Sequence, residues 1–213
     1  MQKPLLYTYR RCPYAMRARM ALLVADIDFD AHEGSLRDKP PEMLARSPKG
    51  SVPVMLLPDG SVLEQSWDIM RWALNQAATK NWWEPAQSLE NLNWLAKNDG
   101  VFKHHLDRYK YPDRYNETDR DGHRENALTA FLKPLNSRLK QSSFLGGSEP
   151  CATDLALFPF VRQFAAVEPD WFEMLQLPAL RAWLANWLSS PLFVRRMLKL
   201  PGQTTVAFPS LGY

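Results

Sequence analysis

The feature that most constrains this chain is a change of pattern near residue 77. Before it, strand-like and helix-like segments alternate; beyond it, every long segment carries helical spacing. Leu5, Leu6 and Tyr7 predict a short buried strand. Met16, Met20, Leu23 and Val24 then recur at helical spacing, with Arg17 and Arg19 on the other face. At 27–32, Ile27, Phe29 and Ala31 alternate with Asp28, Asp30 and His32, which predicts a second strand. Two strands around such a helix form a parallel βαβ unit with a right-handed crossover. A polar stretch containing Pro40 and Pro41 precedes a short helical piece at 43–46. Apolar runs at 52–57 and 61–64 flank Pro58-Asp59-Gly60, where Pro and Gly suit a reversal. Ser66 reads as the cap of a helix carrying Trp67, Ile69, Met70, Ala73 and Leu74. The order is β-α-β-α-β-β-α.

Residues 78–87 show no sustained period and read as a linker. Leu89, Leu92, Leu95, Ala96 and Phe102 then form one apolar helical stripe, and Leu128, Phe131, Leu132, Leu135 and Leu139 another. Pro134 falls inside the second and predicts a kink, costing up to about 3 kcal/mol unless packing offsets it. Ser190-Pro191 reads as N-cap and first-turn proline of a last helix through Met197, which Pro201 stops. The expected organisation is an α/β domain over 1–77, a linker over 78–87 and an all-helical domain over 88–213.

Composition narrows the function classes. Of 213 residues, 46% are hydrophobic and 12% aromatic, ample for a packed core. A net charge of +3 without a clustered basic tract gives a nucleic-acid partner little support. Two cysteines are too few for a disulfide scaffold and suit a reducing compartment. Arg10 and Arg11 interrupt any signal-peptide run, and no segment is long and apolar enough to span a bilayer. The expectation is a cytoplasmic protein with neither a membrane nor a nucleic-acid partner.

Three local features converge on chemistry. Cys12, in Arg10-Arg11-Cys12-Pro13-Tyr14-Ala15, stands between the first strand and the first helix. There the helix's open N–H groups and positive dipole end favour a thiolate; Pro13 fits the first turn, and Arg10 and Arg11 add positive field. The competing account is a free cysteine packed as a small hydrophobe. Val52-Pro53 opens a strand, where proline's missing donor does no harm. A cis bond there would turn the Val52 backbone outward, free to pair with an extended peptide; the sequence does not fix the isomer. Gln65-Ser66 opens the next helix, a place suited to holding a carboxylate, although a plain N-cap explains Ser66 alone.

Together these residues resemble the cytosolic glutathione S-transferases. Cys12-Pro13-Tyr14-Ala15 is similar to the Cys-Pro-Phe-Ala of the omega and lambda classes. Ser47-Pro48-Lys49-Gly50-Ser51-Val52-Pro53-Val54 resembles the family's Asn-Pro-x-Gly-x-Val-Pro loop, whose proline is cis. Leu63 to Ile69 resembles its Glu/Gln-Ser-x-x-Ile helix start. Pro150-Cys151-Ala152-Thr153-Asp154 resembles its Ser-x-x-Asp capping segment, with Cys151 at the cap position and Asp154 closing it. A thiol is a poor acceptor, so that cap is expected to be weak.

The resemblance implies a thioredoxin-like α/β N-terminal domain followed by an all-α C-terminal domain, with glutathione as co-substrate and a homodimeric assembly. Carried over by position, Cys12 is catalytic and Val52 beside Pro53 pairs with the cysteinyl part of glutathione. Gln65 and Ser66 hold the γ-glutamyl end, and Lys49 or Arg10 meets the glycyl carboxylate. A cysteine at this helix start forms a mixed disulfide, where a serine or tyrosine only activates glutathione. Ala15 stands where dithiol enzymes carry a resolving cysteine, so a second glutathione must release the first. The expected activity is thiol transfer or reduction. The alternatives are conjugation to apolar electrophiles and a non-catalytic interaction module on the same fold.

Tyr7 and Tyr9 precede Cys12 but suit strand packing, and Trp183 and Trp187 suit the core. No metal is expected: His104 and His105 are adjacent, so they face different ways on a helix, and His32 and His123 stand alone.

Overall fold

The computed structural model of the protein describes residues 3–34, 39–76 and 81–209. They form two compact units, one of Met1–Asn81 with Leu188–Tyr213, the other of Trp82–Trp187. The division thus differs from the expected 88–213 helical domain, because the C-terminal stretch groups with the α/β unit. Residues 77–80, at the expected junction and linker, and 35–38, in the polar stretch, lie outside the described residues.

In the first unit, β1 (Leu5–Thr8) is the central strand of a five-stranded sheet. It pairs in parallel with β2 (Asp30–Glu33) through Leu6 opposite Ala31, and antiparallel with β3 (Val54–Leu56) through Leu6 opposite Met55. The short strand β4 (Val62–Leu63) extends the β3 side. Helix α1 (Pro13–Val24) joins β1 to β2, α2 (Pro41–Arg46) precedes β3, and α3 (Ser66–Leu74) follows β4.

Strand β2 begins three residues later than the alternation predicts, because residues 25–27 end α1 instead. Asp26 takes a left-handed φ of 53°. Its N–H bonds to the Leu23 carbonyl and that of Ile27 to the Leu22 carbonyl, satisfying two open acceptors of the helix end.

Arg17 and Arg19 also depart from expectation. Both are fully buried, because α1 is covered on more than its sheet face. Helix α3 packs on one flank and the C-terminal stretch on another. Arg17 Nη1 donates to Ser66 Oγ at 3.5 Å, and Arg19 Nη1 to the Arg196 carbonyl at 3.3 Å.

The second unit is helical: α4 (Leu89–Lys97), α5 (Lys103–Lys110), α6 (Pro112–Tyr115), α7 (Arg120–Ala127), α8 (Lys133–Leu139), α9 (Ala152–Ala165), α10 (Pro169–Met174) and α11 (Pro178–Ser189), whose last turn crosses the boundary. Its core is aromatic, with Phe102 stacked on Phe131 at 4.3 Å and Tyr109 beside Phe164 at 5.0 Å. The 128–139 stripe is buried as expected. Pro134 is accommodated because the helix widens to a π turn at Leu128–Leu132, leaving the proline at the second position of α8. The leucine stripe of α4 does not face the core. Leu89 is 77% and Leu92 38% exposed; Asn91, Trp94 and Asn98 are buried instead, and of the expected stripe Phe102 is buried as predicted.

The C-terminal stretch adds α12 (Pro191–Arg196) and β5 (Thr205–Ala207) to the first unit. The Ser190 hydroxyl caps α12 by accepting from the Phe193 N–H at 3.1 Å, as the sequence predicts. Strand β5 pairs antiparallel with β2, and Phe208 stacks on Phe29 at 4.8 Å. Among the described residues, no helix is long and apolar enough to cross a membrane.

Candidate active site

Cys12 occupies the N-cap of α1, and Pro13 takes the first helical position. The Cys12 carbonyl accepts the first intrahelical bond, from the Met16 N–H at 2.9 Å. Its Sγ lies 3.8 Å from the Val52 carbonyl oxygen, toward which the thiol donates. The Val52–Pro53 bond is cis. Residues about 40 positions apart in the chain therefore meet at one point, because β1 and β3 are sheet neighbours and the loops at their ends lie side by side.

A cavity of about 320 Å³ opens there, lined by Cys12, Val52, Tyr9, Thr8, His32 and Lys39, among others. Two buried polar atoms on its walls, Thr8 Oγ1 and His32 Nε2, have no hydrogen-bond partner among the described residues. The other ring nitrogen of His32 is held by Thr205 Oγ1 at 3.1 Å. Gly50 lies on the wall with a left-handed φ of 60°; a Cβ there would sit 3.1 Å from both Leu44 Cδ2 and Lys39 Nζ. A glycine therefore suits both the backbone and the space.

The cations sort differently from expectation. Lys49 is turned to Glu64, donating to its carbonyl at 2.7 Å, and its Nζ lies 3.9 Å from the Glu64 carboxylate. Ser47 donates to the same carboxylate. This cluster ties the loop before Pro53 to the segment before α3. Arg10 is fixed by its backbone: its N–H donates to Glu33 Oε1 at 2.9 Å, and its carbonyl accepts from Arg196 Nη1 at 3.2 Å. Neither lines the cavity; among its lining residues the cation is Lys39. No spacing in the sequence singles out Lys39, and none gives Glu64 a role.

Gln65 takes the N-cap of α3, and Ser66, buried, is the first helical residue rather than the cap. The first intrahelical bond runs from the Ile69 N–H to the Gln65 carbonyl, so the amides ahead of it have no acceptor within the helix. Neither Gln65 nor Ser66 lines the cavity beside Cys12.

Arg19, Arg10 and Glu33 are the charged groups gathered near the thiol. Burial pulls the Arg19 guanidinium down to about 10, while charge on Glu33 and Cys12 opposes that loss. An anion at Cys12 and the cation at Arg19 thus favour one another. Cys151 is the opposite case. It is fully buried in the second unit, and burial with the nearby Asp154 charge pushes its thiol up to about 12. Asp154 closes the α9 start by accepting from the Cys151 N–H at 3.0 Å, and the Cys151 side chain faces the Asp154 N–H in return.

His123, which stands alone in the sequence, does not stand alone in the fold. The packing of α7 on α5 brings it beside His104 and His105.

A Pseudomonas fluorescens pf-5 glutathione transferase family member, solved with two glutathione bound, superposes with a TM-score of 0.77 at 20% identity, covering 92% of each chain. A Pseudomonas putida glutathione transferase, solved with one glutathione disulfide per subunit, gives 0.76 at 23% identity over 94% of this chain and 92% of that one. In sequence, glutathione S-transferase omega-1 of Mus musculus is 23% identical over 87% of this chain and 77% of its own length. The family models for the N-terminal domain and the C-terminal domain of glutathione S-transferase match residues 6–81 and 104–186. With both domains matched in order and the corresponding fold in place, the chain belongs to the glutathione S-transferase family.

Proposed function

We propose that this transferase is a glutathione-dependent thiol transferase or reductase working through a mixed disulfide on Cys12. The observation that carries the reading is Cys12 Sγ at a helix start, 3.8 Å from the Val52 carbonyl, on the wall of a cavity. In the reaction, the Cys12 thiolate attacks the glutathione sulfur of a glutathionylated substrate. The substrate leaves as its thiolate, and Cys12 carries the glutathione. A second glutathione thiolate then attacks that sulfur, releasing glutathione disulfide and restoring Cys12. Ala15 offers no internal thiol for the second step, and the buried Cys151 is unsuited to it.

The Val52 backbone, beside Pro53, pairs with the cysteinyl portion, and Gln65 with Ser66 meets the γ-glutamyl end. Lys39 takes the glycyl carboxylate in place of Lys49 or Arg10, and Thr8 and His32 offer polar atoms alongside it. The omega-1 relative supports a cysteine-type reading by name, and structural relatives solved with glutathione or its disulfide support glutathione as the co-substrate. We place the enzyme in the cytoplasm as a homodimer, the exposed Leu89 and Leu92 of α4 supporting an apolar contact face.

The test is intact-mass analysis after incubation with oxidised glutathione, paired with Cys12→Ser. One glutathione mass is expected, on Cys12 and not on Cys151. Cys12→Ser is expected to abolish reduction of glutathionylated substrates while conjugation to a model aromatic electrophile persists. Full reductase activity in the variant would leave conjugation or a non-catalytic role as the better reading.

A further inference from the structure

Three of the four histidines gather in the second unit. His104 and His105 lie on α5 and His123 on α7; one ligating atom from each falls within 4.8 Å of the others. His105 Nδ1 and His123 Nδ1 are 2.7 Å apart, so one of them is the donor and the other the acceptor. Glu117 settles which. Its Oε2 lies 2.9 Å from His123 Nε2, which puts the His123 proton on Nε2 and leaves Nδ1 as a lone pair. His105 then points its Nδ1 proton at that lone pair. Glu117 is itself anchored by Arg108, whose Nε is 3.3 Å away.

An imidazole with one nitrogen donating to a carboxylate and the other holding a free lone pair is the arrangement that metal-binding histidines adopt. The outer carboxylate fixes the tautomer and raises the ligand's basicity. A metal ion would take the place of the single proton that His105 and His123 now share. The His105 proton moves to its own Nε2 through solvent, so the ring stays neutral and no charge is left over.

We propose that His104, His105 and His123 form a transition-metal site for a divalent ion of the zinc, nickel and copper class, with Glu117 as its outer carboxylate. Imidazole nitrogens suit these ions, and three of them leave one position for water. Metal–nitrogen bonds of about 2.0–2.1 Å in a tetrahedron put the nitrogens roughly 3.3 Å apart. The His105–His123 pair therefore opens by about 0.6 Å, and the widest separation closes by more, through rotation of rings on two helices.

Surrounding charge argues on both sides. Arg108 opposes a cation, and its Nη1 now donates to His104 Nδ1 at 3.0 Å, a contact that His104 gives up or keeps by ligating through Nε2. Glu117 offsets that guanidinium. His104 is exposed, which gives the ion a route in. Bound metal would join α5 to α7 and to the turn at Glu117.

The test uses untagged full-length protein in a Cys12→Ser background, so that the thiol does not compete. Zn²⁺ is titrated against a chromophoric chelator, and Co²⁺ is followed by its d–d absorption. One ion per chain is expected at micromolar or lower dissociation constant. His123→Ala is expected to weaken it at least 100-fold, and Glu117→Gln about 10-fold. Because His123 is half-buried, the exposed His104→Ala serves as the variant that keeps the fold, checked by melting, and it too should weaken binding at least tenfold. Absence of one-to-one binding, or undiminished affinity in folded His104→Ala and His123→Ala, overturns the site.

Discussion

Lys39 decides most at the scale of single residues, because it is the cation on the cavity wall while Lys49 is spent on Glu64. Replacing it by methionine keeps the length of the stem and removes only the charge. Loss of one charged partner for a carboxylate costs roughly 1–3 kcal/mol, so Lys39→Met is expected to weaken glutathione binding by about that much with little change in melting. Lys49→Met is expected to do the reverse, leaving affinity nearly intact and loosening the Ser47–Glu64 cluster. Calorimetry on both variants checks this, and equal losses would return Lys49 to the site. Sequence could not have chosen between them. The placing of Cys12 at a helix start, of Val52-Pro53 before a strand and of Gln65-Ser66 at the next helix start was legible because each is a local motif set by its neighbours in the chain. A lysine's role depends on which way a flexible stem turns, and 26 lysines and arginines offer no spacing that says so.

Among the elements, the start of α9 shows how one carboxylate organises a helix and the loop before it. Asp154 is fully buried. It accepts from the Leu145 N–H at 3.0 Å, from the Cys151 N–H at 3.0 Å and from Trp183 Nε1 at 2.9 Å. Burial raises its pKa, and those donors act against the rise. Asp154→Asn turns one acceptor oxygen into a donor facing donors. Leaving buried N–H groups unpaired costs about 1–3 kcal/mol each, so a loss of roughly 3–5 kcal/mol is expected, near that of breaking a buried charged network. Trp183→Phe should cost less, since it removes a single donor along with its partner bond. Urea melts of both variants test the ranking, which fails if the two lose stability equally. The Ser-x-x-Asp pattern made this cap readable. The α4 leucines misled because periodicity finds an apolar face without saying what covers it. The start of β2 misled because Ile27 fits the strand alternation although its N–H closes the end of α1 on the Leu22 carbonyl.

The whole molecule depends on a return of the chain that no local pattern announces. Thr205–Ala207 is too short to show a period, and its partner strand lies more than 170 residues earlier, at Asp30–Glu33. Yet this segment reaches the active-site unit at several points. Arg196 holds the Arg10 carbonyl just before Cys12, the Leu200 N–H points to Glu33 Oε2, and Thr205 Oγ1 fixes one ring nitrogen of His32 on the cavity wall. Phe208, 4% exposed, covers Phe29. A chain ending at Gln203 loses both the strand and that stacked ring. Removing a buried phenylalanine alone costs about 3–5 kcal/mol, a large part of the 5–15 kcal/mol by which domains are usually stable. The truncated protein is expected to melt well below the full chain and to bind glutathione more weakly. Thr205→Val separates the two effects: it removes the partner of His32 and leaves β5 in place, so affinity should fall while melting barely moves. If the truncated chain melts and binds like the full one, the C-terminal strand is an ornament on the sheet and the unit closes at Asn81 without it.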